Sequence, residues 1–272
     1  MKIKVIIAMH KPYETPDDAL YLPLHVGAKG KEPLHTPSGE PIQGDDRGEE
    51  ISDKNSGYCE LTGLYWAWKN LSADAVGLVH YRRYFKGKAK GTSKMQQVLT
   101  LAEAQALLGD NDIIVPGKRK YYIETLYSHY GHTHDAKHLD ITREIIAEKY
   151  PQYLPACVAA YTCTWGYMFN MCIMKKEYLD KYCQWLFDIL TELEERLQAA
   201  GDTENLSAFD ARLYGRVSEI LFNVWIRYMK AGKNAPKIVE VPTMHMESIN
   251  WWKKGTSFLK AKFSGKKYSK SF

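Results

Sequence analysis

The sequence predicts an α/β fold in which one sheet is covered by helices on both faces. Five short apolar segments recur along the 272 residues, separated by stretches in which apolar side chains follow helical spacing. Short, continuously apolar runs are typical of strands that are buried on both faces. The predicted strands are residues 3–9, 75–81, 111–116, 166–174 and 237–242.

Three helices are predicted around these strands. The first covers residues 55–70, the second begins after Lys176, and the third runs from a Ser207 cap to Gly232. Asp210 lies three residues after Ser207, which is the pattern of a capping box. In the second helix, apolar side chains recur every three or four residues, so that one face can pack against the sheet.

Residues 28–52 form a long predicted surface loop that is rich in Gly, Pro and charged residues. Long loops in compact domains often carry function. The loop contains Asp45 and Asp46, and such a pair can hold Mg²⁺ or Mn²⁺ against a diphosphate. Acidic residues ahead of a helix more often stabilise its positive end, so both interpretations stay open.

The net charge of +5 is unevenly distributed. Residues 248–272 contain seven lysines and no acidic residue, which leaves residues 1–247 at −2. In this tail the lysines alternate with aromatic side chains such as Trp251, Trp252 and Phe263, a mixture that favours an anionic membrane surface. We therefore expect a main domain of residues 1–247 and a basic tail of residues 248–272. The tail alone would favour nucleic-acid binding, and the negative main domain argues against it.

Cysteine usage and hydropathy predict a cytoplasmic protein. The five cysteines form no CxxC pair and cannot all be paired, as is usual in a reducing compartment. The apolar run near the start, "VIIAM", is too short for a signal peptide. Residues 151–174 carry no charge and are long enough to span a bilayer, but prolines and polar side chains dilute their hydrophobicity, so we predict no membrane span there.

The stretch "VGLVHYRRYF" places polar side chains where an apolar strand ends. His80, Arg82, Arg83 and Tyr84 follow residues 76–79. Ligands of open α/β sheets bind beyond the carboxyl ends of the strands, and arginine binds phosphate oxygens through its planar fork. Adjacent arginines on an extended backbone point to opposite sides, so we expect at most one to face a given ligand if the chain stays extended. A turn after the strand would remove this restriction. Pairing with carboxylates explains the arginines equally well on residue type alone.

Two further sets of polar side chains are candidates for binding. The first strand ends in His10 and Lys11, although the spacing matches no phosphate-binding loop motif. On the helix of residues 55–70, side chains with hydrogen-bonding tips share one face because they lie three or four residues apart. These side chains are Asn55, Tyr58, Thr62, Tyr65 and Lys69.

Four histidines cluster in "SHYGHTHDAKHLD", at positions 129, 132, 134 and 138. His134 and His138 have the spacing of zinc ligands on a helix, but no HExxH motif is present. Gly131 and Thr133 argue against a helix through the cluster. We therefore favour an acceptor-binding loop over a zinc site.

One carboxylate lies on a continuous polar stripe of the third helix. Glu219 shares this stripe with Arg212, Arg216, Asn223 and Arg227. On residue type alone, ion pairs on a solvated helix face are the simpler explanation.

Several long motifs together resemble a known family. They are "VIIAMHKPY", "YLPLHVGA", "GDDRGEEISDKNSGYCELTGLYWAWKN", "GLVHYRRYF" and "GYMFNMCIMKKEYLDKYCQWLFDIL". In this order they resemble the small bacterial glycosyltransferases of capsular and exopolysaccharide biosynthesis that have long been catalogued as a domain of unknown function. The resemblance covers about residues 1–230.

The resemblance implies a GT-A-like, Rossmann-like sheet that binds a nucleotide sugar. The implied donor is a UDP-sugar, with UDP-galactofuranose among the options, and the implied acceptor is a lipid-linked oligosaccharide at the inner membrane face. In that fold an Asp-x-Asp pair usually holds a divalent metal, and "GLVHYRRYF" takes its place here. We therefore expect metal-independent transfer in which cations offset the diphosphate charge, with a Mn²⁺ or Mg²⁺ site at Asp45 and Asp46 as the fallback.

Residue chemistry and resemblance together give a set of site residues. An inverting transferase needs a carboxylate that takes the acceptor proton. Glu219 is the first candidate because "GRVSEILFN" also resembles a family motif, and Asp135 and Asp140 are the alternatives. The expected donor contacts are His10, Lys11, Asp46, Asn55, Tyr58, Thr62, Tyr65, His80, Arg82, Arg83 and Tyr84. The expected acceptor contacts are His132, His134, Trp165 and Asn170.

The alternative functions are a non-catalytic carbohydrate- or nucleotide-binding protein and, with less support, a nucleic-acid-binding module. The tail of residues 248–272 is expected to hold the enzyme at the membrane surface.

Overall fold

A computed structural model describes residues 1–247 and confirms the predicted α/β fold. Ten strands are formed in this part of the chain. They are β1 (Ile3–Met9), β2 (Tyr21–His25), β3 (Ala75–His80), β4 (Arg83–Phe85), β5 (Ile113–Pro116), β6 (Arg119–Lys120), β7 (Trp165–Gly166), β8 (Cys172–Lys175), β9 (Ile238–Val241) and β10 (Thr243–His245).

Eight α-helices connect or flank these strands within residues 1–247. They are α1 (Asn55–Tyr58), α2 (Leu61–Asn70), α3 (Leu101–Asp110), α4 (Leu126–Thr133), α5 (Lys137–Lys149), α6 (Leu154–Tyr161), α7 (Lys176–Ala199) and α8 (Leu213–Ala231). The predicted tail of residues 248–272 lies outside the described residues.

The main sheet is mixed and runs in the order β2-β1-β3-β8-β5-β9. β2, β1 and β3 are parallel, with Ile6 opposite both Leu22 and Leu78. β8 is antiparallel to β3 and β5, and β9 is parallel to β5. At the end of β3 the chain turns back into β4 through the pair His80 and Arg83, and β4 pairs with β10. The carboxyl ends of β1, β2 and β3 therefore share one edge with this turn.

Two apolar cores, one on each face of the sheet, explain why the strands are continuously apolar. Along β1, Ile6 and Ala8 belong to the core that contains α2, α7 and α8. Val5, Ile7 and Met9 belong to the opposite core, which contains α3. Because successive side chains of a strand point to opposite faces, both sets must be apolar. Full burial of such an aliphatic side chain contributes about 1.5–3 kcal/mol.

Two predicted elements are wrong in their extent because the backbone enters the left-handed region. The strand predicted for residues 166–174 is reduced to β8, since Phe169 and Asn170 have φ values of 77° and 53°. The helix predicted for residues 55–70 is divided into α1 and α2 at Cys59, where φ is 54°. A helix cannot continue through such a residue.

The sequence did not predict β2 and β4. β2 contains Pro23, which is tolerated because β2 lies at the edge of the sheet and pairs with β1 alone. β4 has three residues, too few for a recognisable pattern. The predicted Ser207 cap of the third helix is wrong. The Ser207 hydroxyl accepts from the Asp210 amide at 3.1 Å, but a 3₁₀ turn of Asp210–Arg212 follows, and α8 begins after Arg212 without a side-chain cap.

The uncharged residues 151–174 do not form one long element. They divide into a 3₁₀ turn, α6 and two short strands. Among residues 1–247, no helix combines the length and apolar character that a bilayer crossing requires.

Candidate functional site

A cluster of charged side chains lies where β3 turns into β4. It consists of Glu60, His80, Arg83, Arg119 and Glu219, here called the polar cluster. The parallel strand ends, the start of α2 and the middle of α8 bring these residues together, although they are far apart in the sequence. The cluster thus lies at the sheet edge where α/β proteins bind ligands.

Glu219 is the member of the polar cluster with the most altered acidity. The residue as a whole is partly exposed, but its carboxyl group is surrounded by protein atoms. Burial and then the Glu60 carboxylate raise the pKa of Glu219 from its ordinary 4.5 to about 7, against opposing effects of Arg119 and Arg83. At neutral pH this group therefore exists in both protonation states, as a general base requires.

Glu60 is held by a buried asparagine. The Asn170 side-chain amide donates to Glu60 Oε1 at 2.7 Å and to the Gly215 carbonyl at 2.9 Å, while its oxygen accepts from Ser218 Oγ at 2.9 Å. Asn170 is 4% exposed. The prediction that Asn170 contacts the acceptor is therefore replaced by a positioning role, because its polar atoms are engaged by protein groups.

His80 and Arg83 complete the polar cluster at the β3–β4 turn. His80 Nε2 lies 2.7 Å from the Phe169 carbonyl, and burial lowers the pKa of this imidazole, so a neutral ring donates to the carbonyl. The Arg83 guanidinium lies 3.7 Å from the centre of the Phe169 ring. Burial lowers the pKa of Arg83 to about 10, while Glu219 and Glu60 favour its charged form. Arg83 therefore remains a cation at neutral pH.

The neighbouring Arg82 points to a different place. It lies 3.3 Å from Glu247, and its guanidinium is 5.1 Å from the centre of the Tyr81 ring. His10 and Lys11 contact the same ring, at 5.2 Å and 5.7 Å. Burial, followed by Arg82 and Lys11, lowers the pKa of His10. His10, Lys11 and Arg82 form a basic rim at the ends of β1 and β3 that favours an anion.

The two arginines of "HYRRYF" have different surroundings because the chain turns between them: Arg82 lies in the turn and Arg83 begins β4. Arg83 faces the polar cluster and Arg82 faces the basic rim. Tyr84, predicted as a donor contact, is instead completely buried and packs edge-on against Tyr21 at 5.6 Å.

Asp45 organises the loop rather than a metal site. Its carboxylate is completely buried and accepts from two backbone amides, those of Gly27 and Ala28, at 2.9 and 3.0 Å. It also accepts from the hydroxyls of Ser52 and Thr62 at 2.5 and 2.6 Å. Four donors occupy its lone pairs, so the fallback metal site is incompatible with this arrangement. Its predicted partner, Asp46, is exposed.

No group of three or more potential metal ligands occurs within residues 1–247. The hydroxyl of Thr62 is likewise engaged, because it also receives a bond from Asn55 at 3.1 Å. The structure therefore gives Asn55 and Thr62 a role in shaping the loop around Asp45.

The predicted ligand-binding face of the first helix is divided by the break at Cys59. Tyr58 is buried, stacks on Tyr214 at 4.9 Å and donates to Glu194 at 3.1 Å. Tyr65 and Lys69 both contact Glu49, at 3.1 and 2.8 Å. The hydroxyls of Tyr58 and Tyr65 thus have protein partners. Because the helix is divided at Cys59, the residues before and after the break do not share the single face predicted to bind the donor.

The predicted loop through the histidine cluster is wrong, because His129 and His132 lie on α4 and His138 on α5, with His134 directly after α4. α4 includes Gly131 and ends at Thr133. His129 and His132 both contact the buried Glu124, at 2.8 and 2.6 Å. These contacts fix the first turns of α4.

The remaining predicted residues lie near α8 or on α5. His134 Nδ1 is 3.2 Å from Arg216 on α8. Asp135 is exposed, and Asp140 accepts from Tyr127 at 3.0 Å. Neither aspartate is among the main influences on the pKa of Glu219. The indole of Trp165 is flanked by the cations of Lys118 and Arg227, at 4.6 and 4.9 Å.

Sequence reasoning did not single out Glu60 and Arg119. Glu60 lies inside the motif "GYCELTG", between a residue with left-handed backbone and α2, and nothing in the local pattern marks it as part of a site. Arg119 follows β5 in a run of cations that is equally typical of a solvated loop.

Two comparisons relate the chain to known proteins. The family model described as "Domain of unknown function (DUF4422)" matches residues 4–231, a range that includes the whole polar cluster. A solved structure described as the apo form of the WbbM bifunctional glycosyltransferase superposes with a TM-score of 0.80 at 28% identity. The match covers 91% of this chain and 46% of that one, so the chain spans about half the length of that protein. No curated protein matches the chain.

Proposed function

The chain belongs to the family described as Domain of unknown function (DUF4422), and from this premise we propose that it is a glycosyltransferase. The proposed reaction moves a sugar from a nucleotide donor to the hydroxyl of a lipid-linked oligosaccharide. The observation that carries this proposal is Glu219, a carboxyl group whose pKa is raised to about 7 at the ligand-binding edge of the sheet, with arginines beside it. The similarity to a glycosyltransferase structure supports the same reaction class.

Glu219 is the proposed general base of an inverting transfer. Its carboxylate takes the proton of the acceptor hydroxyl while the oxygen bonds to the anomeric carbon of the donor sugar. The bond from this carbon to the donor phosphate breaks, and the nucleoside diphosphate leaves with the electron pair. A base with a pKa near the working pH combines a sufficient deprotonated fraction with adequate basicity.

The cations supply the charge that the leaving diphosphate requires. Arg83 and Arg119 lie on the Glu219 side, and the two cations of the basic rim, Lys11 and Arg82, lie at the ends of β1 and β3. Preorganised cations stabilise developing negative charge without the reorganisation that water would need. The proposed transfer is therefore independent of a metal ion, and EDTA is expected to leave the rate unchanged.

The proposed donor is a UDP-hexose, with UDP-galactofuranose among the forms to be tested. The proposed context is synthesis of a capsule or exopolysaccharide in a bacterium, with residues 1–247 as the catalytic domain. These assignments rest on the sequence resemblance and the family membership.

A thermal-shift screen of nucleotide sugars tests the donor class. A ligand that binds the folded state alone raises the apparent stability, by about 2.7 kcal/mol at a concentration one hundred times Kd. We expect stabilisation by a UDP-sugar that is lost in R82A, which leaves the polar cluster intact. Lack of stabilisation by every nucleotide sugar and nucleoside diphosphate would contradict the proposal.

A further inference from the structure

The connection between β6 and α4 exposes two consecutive large apolar side chains. Tyr122 is 80% exposed and Ile123 is 63% exposed, whereas the residues on either side, Tyr121 and Glu124, are 5% and 4% exposed. Isolated apolar residues are common on protein surfaces, but an adjacent pair projecting from a tight turn is not explained by the fold itself. Together with Lys120 they form the tip, residues 120–123.

The backbone holds the tip outward. Tyr122 has φ of 57°, a conformation that residues with a side chain rarely adopt, and the Ile123 amide donates to the Tyr121 carbonyl at 2.7 Å. The base of the tip is fixed, because the amide of Tyr121 donates to the Thr164 carbonyl at 2.8 Å. The exposure of Tyr122 and Ile123 is therefore a property of an anchored turn.

The charge beside the tip is positive. Residues 118–120 have the sequence Lys-Arg-Lys, and Lys120 is exposed. Lys118 is paired with Glu240 at 2.8 Å, which leaves Arg119 and Lys120 to dominate the local field. The adjacent acid, Glu124, is buried between His129 and His132 and contributes little negative surface. Exposed tyrosine and isoleucine next to cations match an anionic lipid surface.

The tip is also next to the polar cluster. Arg119 immediately precedes it and acts on the Glu219 carboxylate. The Tyr121 ring, at the base of the tip, packs on the His129 ring at 4.4 Å and lies 5.1 Å from the Arg119 guanidinium. A surface that receives the tip therefore also lies close to Glu219.

We propose that residues 120–123 dock on an anionic lipid bilayer, with Tyr122 and Ile123 entering the headgroup region and Lys120 contacting lipid phosphates. Docking would bring the proposed base, Glu219, to a lipid-linked acceptor, and in this respect the inference rests on the proposed function. It is separate from the tail of residues 248–272, because it uses a different part of the chain.

Vesicle sedimentation of the full chain tests the docking. The vesicles contain phosphatidylcholine and phosphatidylglycerol in equal amounts, and no nucleotide sugar is added. We expect the double variant Y122S/I123S to bind about tenfold more weakly than the wild type, since both apolar groups are lost from the interface. We expect K120E to bind the vesicles about fivefold more weakly than the wild type. High salt should reduce this difference in affinity more than it reduces the difference caused by Y122S/I123S, because salt screens charge. The matched control is V158S, which removes an apolar side chain that is 49% exposed on α6.

Hydrogen exchange on the same samples locates the contact. Amides of residues 120–125 are expected to exchange more slowly when anionic vesicles are added, and less so with pure phosphatidylcholine. Unchanged vesicle affinity of Y122S/I123S, or unchanged exchange at these amides, would overturn the proposal. A concentration-dependent dimer that the double variant abolishes, without vesicle protection of the tip, would also overturn it and assign the tip to a second copy.

Failure of this inference is distinguishable from failure of the proposed function. Vesicle binding is measured without a donor, whereas sugar transfer to a water-soluble acceptor analogue is measured without vesicles.

Discussion

Replacement of Glu219 by glutamine is expected to stabilise the protein at alkaline pH while abolishing its proposed activity. In the folded state the pKa of Glu219 rises from 4.5 to about 7, so the folded protein holds this proton more tightly than the unfolded chain. Stability is therefore highest below pH 4.5 with respect to this group and falls as the pH rises to about 7. At about 1.4 kcal/mol per pH unit, the loss above pH 7 is at most about 3.5 kcal/mol.

Glutamine removes this cost because it keeps the size of the side chain and carries no charge. We expect E219Q to be more stable than the wild type at pH 8, by about 1–3 kcal/mol, and of nearly equal stability at pH 5. The lower end of the range allows for the partial exposure of the residue and for favourable contacts of the carboxylate with Arg119 and Arg83.

Urea unfolding of both proteins at pH 5 and pH 8 measures the difference. The matched control is E144Q on α5, where the glutamate is exposed and the same substitution is expected to change stability by less than about 0.5 kcal/mol. If E219Q were less stable than the wild type at pH 8, or if its advantage were the same at both pH values, the assignment of a raised Glu219 pKa would be refuted.

Three further outcomes are expected. The rate of transfer should rise about tenfold per pH unit below pH 7. E60Q should move this rising part of the pH–rate profile to lower pH, because Glu60 helps to raise the Glu219 pKa. A profile of E60Q that matches the wild type would exclude that role of Glu60. R83A should lower kcat by at least about tenfold, whereas R82A should mainly raise KM for the donor. Steady-state kinetics with EDTA present measure both constants. If the two variants had the same kcat and KM, both assigned roles would be contradicted. D45N should destabilise the protein by about 2–4 kcal/mol in urea unfolding, because an amide nitrogen cannot accept the bonds that the buried carboxylate receives.

The parts of the fold that follow from local patterns could be predicted from the sequence. β1 is predicted over its observed length because both of its faces are buried and every residue from Val5 to Met9 is apolar. α7 is predicted because its apolar stripe, from Leu179 to Leu197, continues for about five turns. The different surroundings of Arg82 and Arg83 do not follow from backbone alternation, because Arg82 lies in the turn between β3 and β4.

The parts of the site that depend on unusual backbone conformations could not be predicted. Glu60 approaches Asn170 because Cys59 and Asn170 both have positive φ values, and neither is a glycine that would signal a turn. The sequence places Asp45 in a polar loop, where an acidic side chain is usually exposed to solvent. Only the structure shows that four hydrogen-bond donors surround its carboxylate. Such contacts join distant segments, so they leave no mark in local spacing.

The central claim, that Glu219 is the base of a sugar transfer, is tested most directly by product formation in a single turnover. The donor is the nucleotide sugar that stabilises the protein, and the products are followed by mass spectrometry at pH 8 with EDTA present. We expect E219Q to bind this donor with unchanged affinity and to form product at least about one hundred times more slowly than the wild type. Product formation by E219Q at a rate close to that of the wild type would contradict the claim.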